Sequence, residues 1–243
     1  MLSTPIDIFI CSYLRPEYTG KTLQYLKERT RYSYRLFLID NGDNEQFKDQ
    51  VDYYIGMSKN LGVMVAWNIA SQLAESEYFI TSDNDIYVPD LELDWLFQLI
   101  TFMNVRPDYG AISLHPHVFI GIAGEDPNDP EDVKEAPMCG AVMRIMRTEL
   151  IRKIGGWEKV IRPQRNGEEK WISSRLREAG YKVGRTTRIR AYHPFGRDIE
   201  GNLGWGYTTV TPEEQGHNSA LKNEVLRFDN PDAYDEKTWL PKT

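Results

Sequence analysis

Over its first hundred residues the chain keeps changing hydrophobic period, from short unbroken apolar runs to stripes spaced three and four apart. IDIFICSY (6–13) is apolar with β-branched residues and predicts a buried strand. Pro16 opens a helical stretch with Leu23 and Leu26 on one side. YRLFLIDNGD (34–43) is a second apolar run ending in polar residues, and VDYYIG (51–56) predicts a third strand. Residues 61–74 carry Val63, Ala66, Trp67, Ala70 and Leu73 as a helical stripe, and EYFITSD (77–83) follows as a fourth strand. Asp90 is suited to cap the next helix, whose stripe is Leu93, Leu96, Phe97 and Ile100. Strands alternating with helices predict an α/β fold: a mostly parallel sheet covered by helices on both faces.

The second half reads less regularly. YGAISL (109–114) predicts a strand, residues 115–137 a long loop rich in Pro, Asp and Gly, and CGAVMRI (139–145) another strand. RTELIRKIGG (147–156) is a short helix with a glycine stop, residues 168–179 a further helix, and RTTRIRAYH (185–193) the last strand. With 243 residues, 41% of them hydrophobic, the chain suffices for one sizeable core. The division expected is a domain over 1–196 and a C-terminal extension over 197–243, either a lid or a wrapping tail. Gly201, Gly204 and Gly206 favour a mobile cover, and Trp205 and Tyr207 between them are suited to pack on a ligand.

A net charge of −7 argues against nonspecific nucleic-acid binding. Cys11 and Cys139 lie far apart, without metal-ligand spacing, and fit a reducing compartment. No stretch reaches the roughly 18 to 20 apolar residues of a membrane span. The start, MLSTPIDIFIC, lacks the basic end and cleavage site of a signal peptide. The expected location is the cytoplasm, free or peripheral to a membrane.

In parallel sheets of this kind ligands bind beyond the carboxyl ends of the strands. The polar clusters fall there: Ser12 and Tyr13, Asp40 and Asn41, Asp83 to Asp85. Asp83-Asn84-Asp85 ends an apolar strand and suits a divalent cation, because Mg²⁺ and Mn²⁺ prefer carboxylate oxygens and bridge to substrate phosphates. A plain strand-to-helix turn also favours Asp and Asn. Asp40-Asn41-Gly42 is either a turn or a grip on a nucleotide. Asn60-Leu61-Gly62, before the helix that starts near Val63, is either a cap or backbone turn, or a pocket-facing amide where an anion is favoured. Glu168 and Glu169 open a helix, where acids are common anyway. Glu169, however, shares a face with Ile172, Leu176 and Ala179, which turns it inward as a candidate general base. His193 ends the last strand, and His115, His117 and His217 lie in loops without a visible partner.

Together these pieces resemble the inverting glycosyltransferases of family two, with the GT-A fold and its Rossmann-like nucleotide-binding half. The resemblance runs from about residue 5 to 196. IDIFICSYLRPEYTGKTLQYL looks like the opening strand, x-Tyr-x-Arg turn and first helix. LIDNGD resembles the strand ending in an Asp-Asp-Gly-Ser type motif, and KNLGVMVAWNIA the Asn-x-Gly segment. YFITSDNDIYVPD carries the Asp-x-Asp motif. MCGAVMRIMRTELIRKIGGW and GEEKWISSRLREAGYKV are similar to the Gly-Ala strand and the Glu-Asp helix.

The resemblance implies a role for each matching residue. Asp40 contacts the nucleotide base and Asp83 the ribose or metal region. Asp85 binds Mn²⁺ or Mg²⁺ directly, and His193 is a late metal ligand. Ser12, Tyr13, Arg15, Asn60 and Gly62 complete the nucleotide-binding set. Glu169, or alternatively Glu168, takes the acceptor proton, and Cys139 and Gly140 line the acceptor side. Three departures stand out: Asn41 replaces an acid, Glu-Glu replaces Glu-Asp, and Cys139 precedes Gly140.

The implied activity is metal-dependent inverting transfer from a nucleotide-diphosphate sugar, UDP-sugar first and GDP-sugar second, to a hydroxyl acceptor such as a glycan. The rival readings are a noncatalytic nucleotide- or carbohydrate-binding module on the same fold and a sugar-phosphate nucleotidyltransferase. The latter wants a Gly-rich basic loop after the first strand, where this chain has SYLRPEYTG.

Overall fold

The structure is a computed structural model, describing residues 5–42, 44–57, 60–116, 131–157 and 167–193. Its strands are β1 (Ile6–Ser12), β2 (Tyr34–Asp40), β3 (Tyr53–Gly56), β4 (Tyr78–Asp83), β5 (Tyr109–Pro116), β6 (Val133–Glu135), β7 (Arg144–Arg147) and β8 (Lys182–Ala191). Its α-helices are α1 (Pro16–Arg29), α2 (Val63–Leu73), α3 (Trp95–Val105), α4 (Thr148–Lys153) and α5 (Gly167–Glu178), with a 3-10 helix over Glu45–Gln50.

One sheet holds all eight strands in the order β3-β2-β1-β4-β7-β5-β8-β6. β1 pairs in parallel with β2 and β4, β2 with β3, and β5 with β8. β7 runs antiparallel between β4 and β5, and β6 runs antiparallel on the edge beside β8. The mostly parallel α/β sheet expected from the alternating pattern is therefore present.

Both faces of the sheet are covered, which is why the strand sequences read as unbroken apolar runs. Ile8 and Ile10 face one way and join Leu23 and Leu26 of α1 with Trp95, Leu96 and Leu99 of α3. Phe9 and Cys11 face the other way and join Ala66, Trp67 and Ala70 of α2 with Ile172 and Leu176 of α5. On this second face Phe9, Phe37 and Tyr53 stack across three neighbouring strands, with ring centroids 4.4 Å apart at each step.

Several expectations need correction. Asp94, not Asp90, caps α3: its Oδ1 accepts from the N–H groups of Leu96 and Phe97, both at 2.9 Å. Asp90 is exposed and faces Arg31 at 3.7 Å. Leu93 and Phe97 are exposed, and the buried face of α3 is Trp95, Leu96, Leu99, Ile100 and Met103. Residues 139–143 are bent rather than extended, with Met143 at φ 45°, and β7 starts only at Arg144. Within the stretch expected to be loop, Val133–Glu135 pair with β8. Ala179 is exposed beyond the end of α5, and Ser173 takes the buried place beside Ile172 and Leu176. The domain boundary at 196, the extension 197–243, His117 and His217 lie outside the described residues.

Candidate active site

The carboxyl ends of β1, β2 and β4 meet in register, with Ser12 beside Asp40 and Cys11 beside Asp83. Beyond β8, Tyr192 bridges back to Tyr87 and brings His193 to the same edge. Asp40, the pair Asp83 and Asp85, and His193 thus converge from three segments of the chain.

The aspartates differ in how well the protein satisfies them. Buried Asp7, at the opposite end of β1, accepts from Arg35 Nε at 2.7 Å, from the N–H groups of Glu75 and Ser76, and from Ser76 Oγ. Asp40 is equally provided for: it accepts from Ser12 Oγ at 3.1 Å, Gly42 N at 2.9 Å, Asn44 N at 3.0 Å, Asn44 Nδ2 at 3.4 Å and Tyr54 OH at 2.8 Å. Its carboxylate shapes the turn after β2. Asp85 is different. Oδ2 accepts from Arg15 Nη1 at 2.8 Å, while buried Oδ1 receives no hydrogen bond and stands 3.4 Å from His193 Nε2. A buried carboxylate oxygen left so is unfavourable unless something cationic meets it.

Electrostatics mark the same place. Burial and then the negative charge of Asp85 push the Asp83 carboxyl above the usual carboxylate range. Burial pushes Asp85 the same way, but the Arg15 and His193 charges outweigh it and hold Asp85 below that range. Burial opposes a charge on His193, and the neighbouring Asp85 overcomes this and raises its pKa.

Asn84, between the two acids, was not singled out in the sequence. Its Nδ2 donates to Thr19 Oγ1 at 2.8 Å, its Oδ1 accepts from Arg15 Nη2 at 3.2 Å, and its carbonyl accepts from Thr22 Oγ1 at 2.9 Å. Residues 15, 19 and 22 therefore hold the Asp-Asn-Asp turn from one face of α1. Their spacing of four and three was the signal available.

Beyond β1 and β2, Tyr13 packs over Gly42, which has φ 148°. Asn41 donates to Cys11 Sγ at 3.3 Å and accepts from Leu61 N at 3.1 Å. Asn60 Oδ1 accepts from Gly62 N at 2.8 Å, and Gly62, at φ 88°, forms the N-cap of α2. This last geometry is a backbone turn held by the Asn60 side chain just before α2, and no side chain caps the helix.

On the opposite side, Glu168 and Glu169 are both half-buried, so burial does not separate them. Glu169 Oε1 accepts from Ala141 N at 3.2 Å and lies where a Cβ on Gly140 would approach within 3.3 Å. Cys139 is fully buried: its N–H donates to Ser173 Oγ at 3.1 Å and its carbonyl accepts from Arg144 Nη1 at 3.1 Å. Burial pushes its thiol up to about 12. Arg144, fully buried with its guanidinium 5.4 Å from the Trp157 ring, thus braces the bend that meets Glu169, and nothing in its sequence surroundings signalled this.

The family model of glycosyl transferase family 2 matches residues 7–155, more than half of the chain. A search of curated proteins found no match. Among solved structures, the chain is similar to the mannosyltransferase PcManGT from Pyrobaculum calidifontis in complex with GDP-Man and Mn²⁺ (12% identity, TM-score 0.60, covering 93% of this chain and 63% of that one). It is also similar to S. aureus TarS 1-349 in complex with UDP-GlcNAc (13%, 0.61, 92% and 65%). A third is GalNAc-T7 with UDP, GalNAc and Mn²⁺ (14%, 0.62, 93% and 50%). The chain spans about half to two thirds of the length of these structures, and at such identities the likeness concerns the GT-A fold. With its family match, its eight-stranded sheet and the acids at the strand ends, this chain belongs to glycosyl transferase family 2.

Proposed function

We propose that the protein transfers a sugar from a nucleotide-diphosphate sugar, UDP-linked first and GDP-linked second, to a hydroxyl acceptor such as a glycan. The reaction is a direct displacement that inverts the anomeric centre. The observation that carries this is Asp85 Oδ1, buried without a hydrogen bond and facing His193 Nε2 at 3.4 Å.

The donor set suits Mn²⁺ or Mg²⁺, being a carboxylate and an imidazole with a second carboxylate, Asp83, one residue away. Among the described residues no three His, Cys, Asp or Glu side chains are gathered closely enough to hold an ion by themselves. That agrees with cations that use one or two protein carboxylates and complete their shell with substrate phosphates. Asp85 and His193 would hold the cation, with Asp83 beside them. When bound, it supplies charge compensation for the diphosphate leaving group.

The remaining steps belong to the chain's own side chains. Ser12, Tyr13 and Asp40 shape the turn that receives the nucleotide. Glu169, anchored through Oε1 to Ala141 N, presents its other oxygen to the acceptor hydroxyl and takes its proton as the oxygen attacks. Gly140 leaves room beside that carboxylate. The similar structures are complexes with GDP-Man and Mn²⁺, with UDP-GlcNAc, and with UDP, GalNAc and Mn²⁺, which supports the reading.

Thermal unfolding with a panel of UDP- and GDP-sugars, with and without Mn²⁺, tests it. A ligand at a hundred times its Kd adds about 2.7 kcal/mol, so one nucleotide class should raise Tm clearly, and more with Mn²⁺. No shift with any donor counts against the proposal.

A further inference from the structure

Leu14 and Arg15 are consecutive non-glycine residues in the left-handed region, both with φ 53°. Side chains are disfavoured there, and such conformations persist only where the surroundings over-determine them. Here they do. Leu14 N–H donates to Gly42 O at 3.1 Å, and Leu14 O accepts from Asn44 Nδ2 at 3.1 Å and Asn84 Nδ2 at 3.4 Å. The turn is thus tied both to the loop after β2 and to the Asp-Asn-Asp segment.

The result is a fixed aim for Arg15. Its fork spans two residues of the motif, Nη1 on Asp85 Oδ2 at 2.8 Å and Nη2 on Asn84 Oδ1 at 3.2 Å. The Arg15 and Asp85 side chains are 14% and 6% exposed, so solvent screens this contact weakly. One carboxylate oxygen is taken up by the fork, and the other is left facing His193.

We infer that Arg15 is a positioning residue for the divalent-cation site: it locks the rotation of the Asp85 carboxylate so that Oδ1 faces His193, and it stays in place when the cation binds. This rests on the metal-dependent reading above and goes beyond it, by assigning Arg15 to the cation site as well as to the nucleotide. Partners of a metal ligand fix its orientation, and their loss typically lowers metal affinity by 10- to 100-fold. The alternative, a guanidinium that merely fills the cation's place and leaves on binding, predicts the opposite sign. The taut turn at Leu14 favours a fixed support over a movable one.

The test is Mn²⁺ binding to the full chain, followed by the EPR signal of the free ion, with UDP and with GDP, for wild type, Arg15→Gln and Arg15→Lys. Melting in EDTA reports the fold separately. Arg15→Gln should weaken Mn²⁺ binding by about 10- to 100-fold. Arg15→Lys, which keeps the charge but loses the planar fork, should recover only part of this. Unchanged or tighter Mn²⁺ binding in Arg15→Gln overturns the inference while leaving the metal site standing. A wild type that binds no Mn²⁺ with either nucleotide overturns both.

A wild-type measurement needs no variant. In a Mg²⁺ titration with the same nucleotides, the Arg15 Nη–H resonances should shift at the binding midpoint and remain resolved. Their collapse to the average of a freely rotating guanidinium shows displacement and sinks the inference.

Discussion

Glu169 carries the sharpest residue-scale claim. A base needs reach as well as charge, and Glu169 has one oxygen anchored on Ala141 N. Glu169→Gln keeps size and polarity but removes basicity. Turnover should fall by roughly two or more orders of magnitude, while nucleotide affinity measured by calorimetry changes little. Glu168→Gln should do much less; a reversed order in steady-state kinetics makes Glu168 the base. The helix phase that put Glu169 inward was readable from Ile172 and Leu176, but half-burial of both glutamates was not. Nor was the pairing of Arg15 with Asp85, because it joins residues 70 apart across two elements. Local pattern shows which acids end strands; it does not show which of their oxygens the folded chain leaves open. Asp7 and Asp40 have both oxygens hydrogen-bonded, and Asp85 has one.

At the scale of elements, α3 shows where periodicity misleads. Asp90 precedes a stripe containing Leu93 and Phe97, so it reads as a cap, yet the helix starts at Trp95 because Trp95, Leu96 and Leu99 fill the core. Asp94 then serves twice. Oδ1 caps α3, and Oδ2 accepts from Arg31 N at 2.5 Å and Tyr32 N at 3.3 Å, joining α3 to the turn after α1. Asp94→Ala should therefore destabilise by at least the upper end of the N-cap range, about 2 kcal/mol in urea unfolding. Asp90→Ala, at an exposed position, should stay within about 0.5 kcal/mol. Equal effects would mean that the cap is misplaced. The strand-helix alternation of the first hundred residues was legible because each strand is buried on both faces. The bend over 139–143 was not. It arises from contacts with distant groups, Met143 N donating to Ser82 Oγ at 3.2 Å and Ala141 N to Glu169, which leave no periodic trace. Three-residue β6 is too short to show a period at all.

Among the described residues, polar groups are buried at both ends of the sheet, and the carboxylates at the two ends are satisfied differently. The Asp7 end is closed by Arg35, Glu75 and Ser76. The other end sets Asp85 Oδ1, buried without a hydrogen bond, 3.4 Å from His193 Nε2. The order of the sheet, with β7 reversed between β4 and β5, carries Ala141 and Gly140 to the edge where Asp83 ends β4; Asp83 N donates to Ala141 O at 3.1 Å. Under the proposed function this sets the metal side beside the acceptor side, as direct displacement requires. Among the described residues no helix is long and apolar enough to cross a membrane. The most direct measurement is NMR of donor turnover by the purified chain, using UDP- and GDP-sugars in Mn²⁺ and again after EDTA. The account predicts that one donor class releases or transfers its sugar with inverted anomeric configuration, and that EDTA or Asp85→Asn abolishes this. Turnover undiminished by EDTA, retention of configuration, or no turnover of any nucleotide-sugar would contradict it.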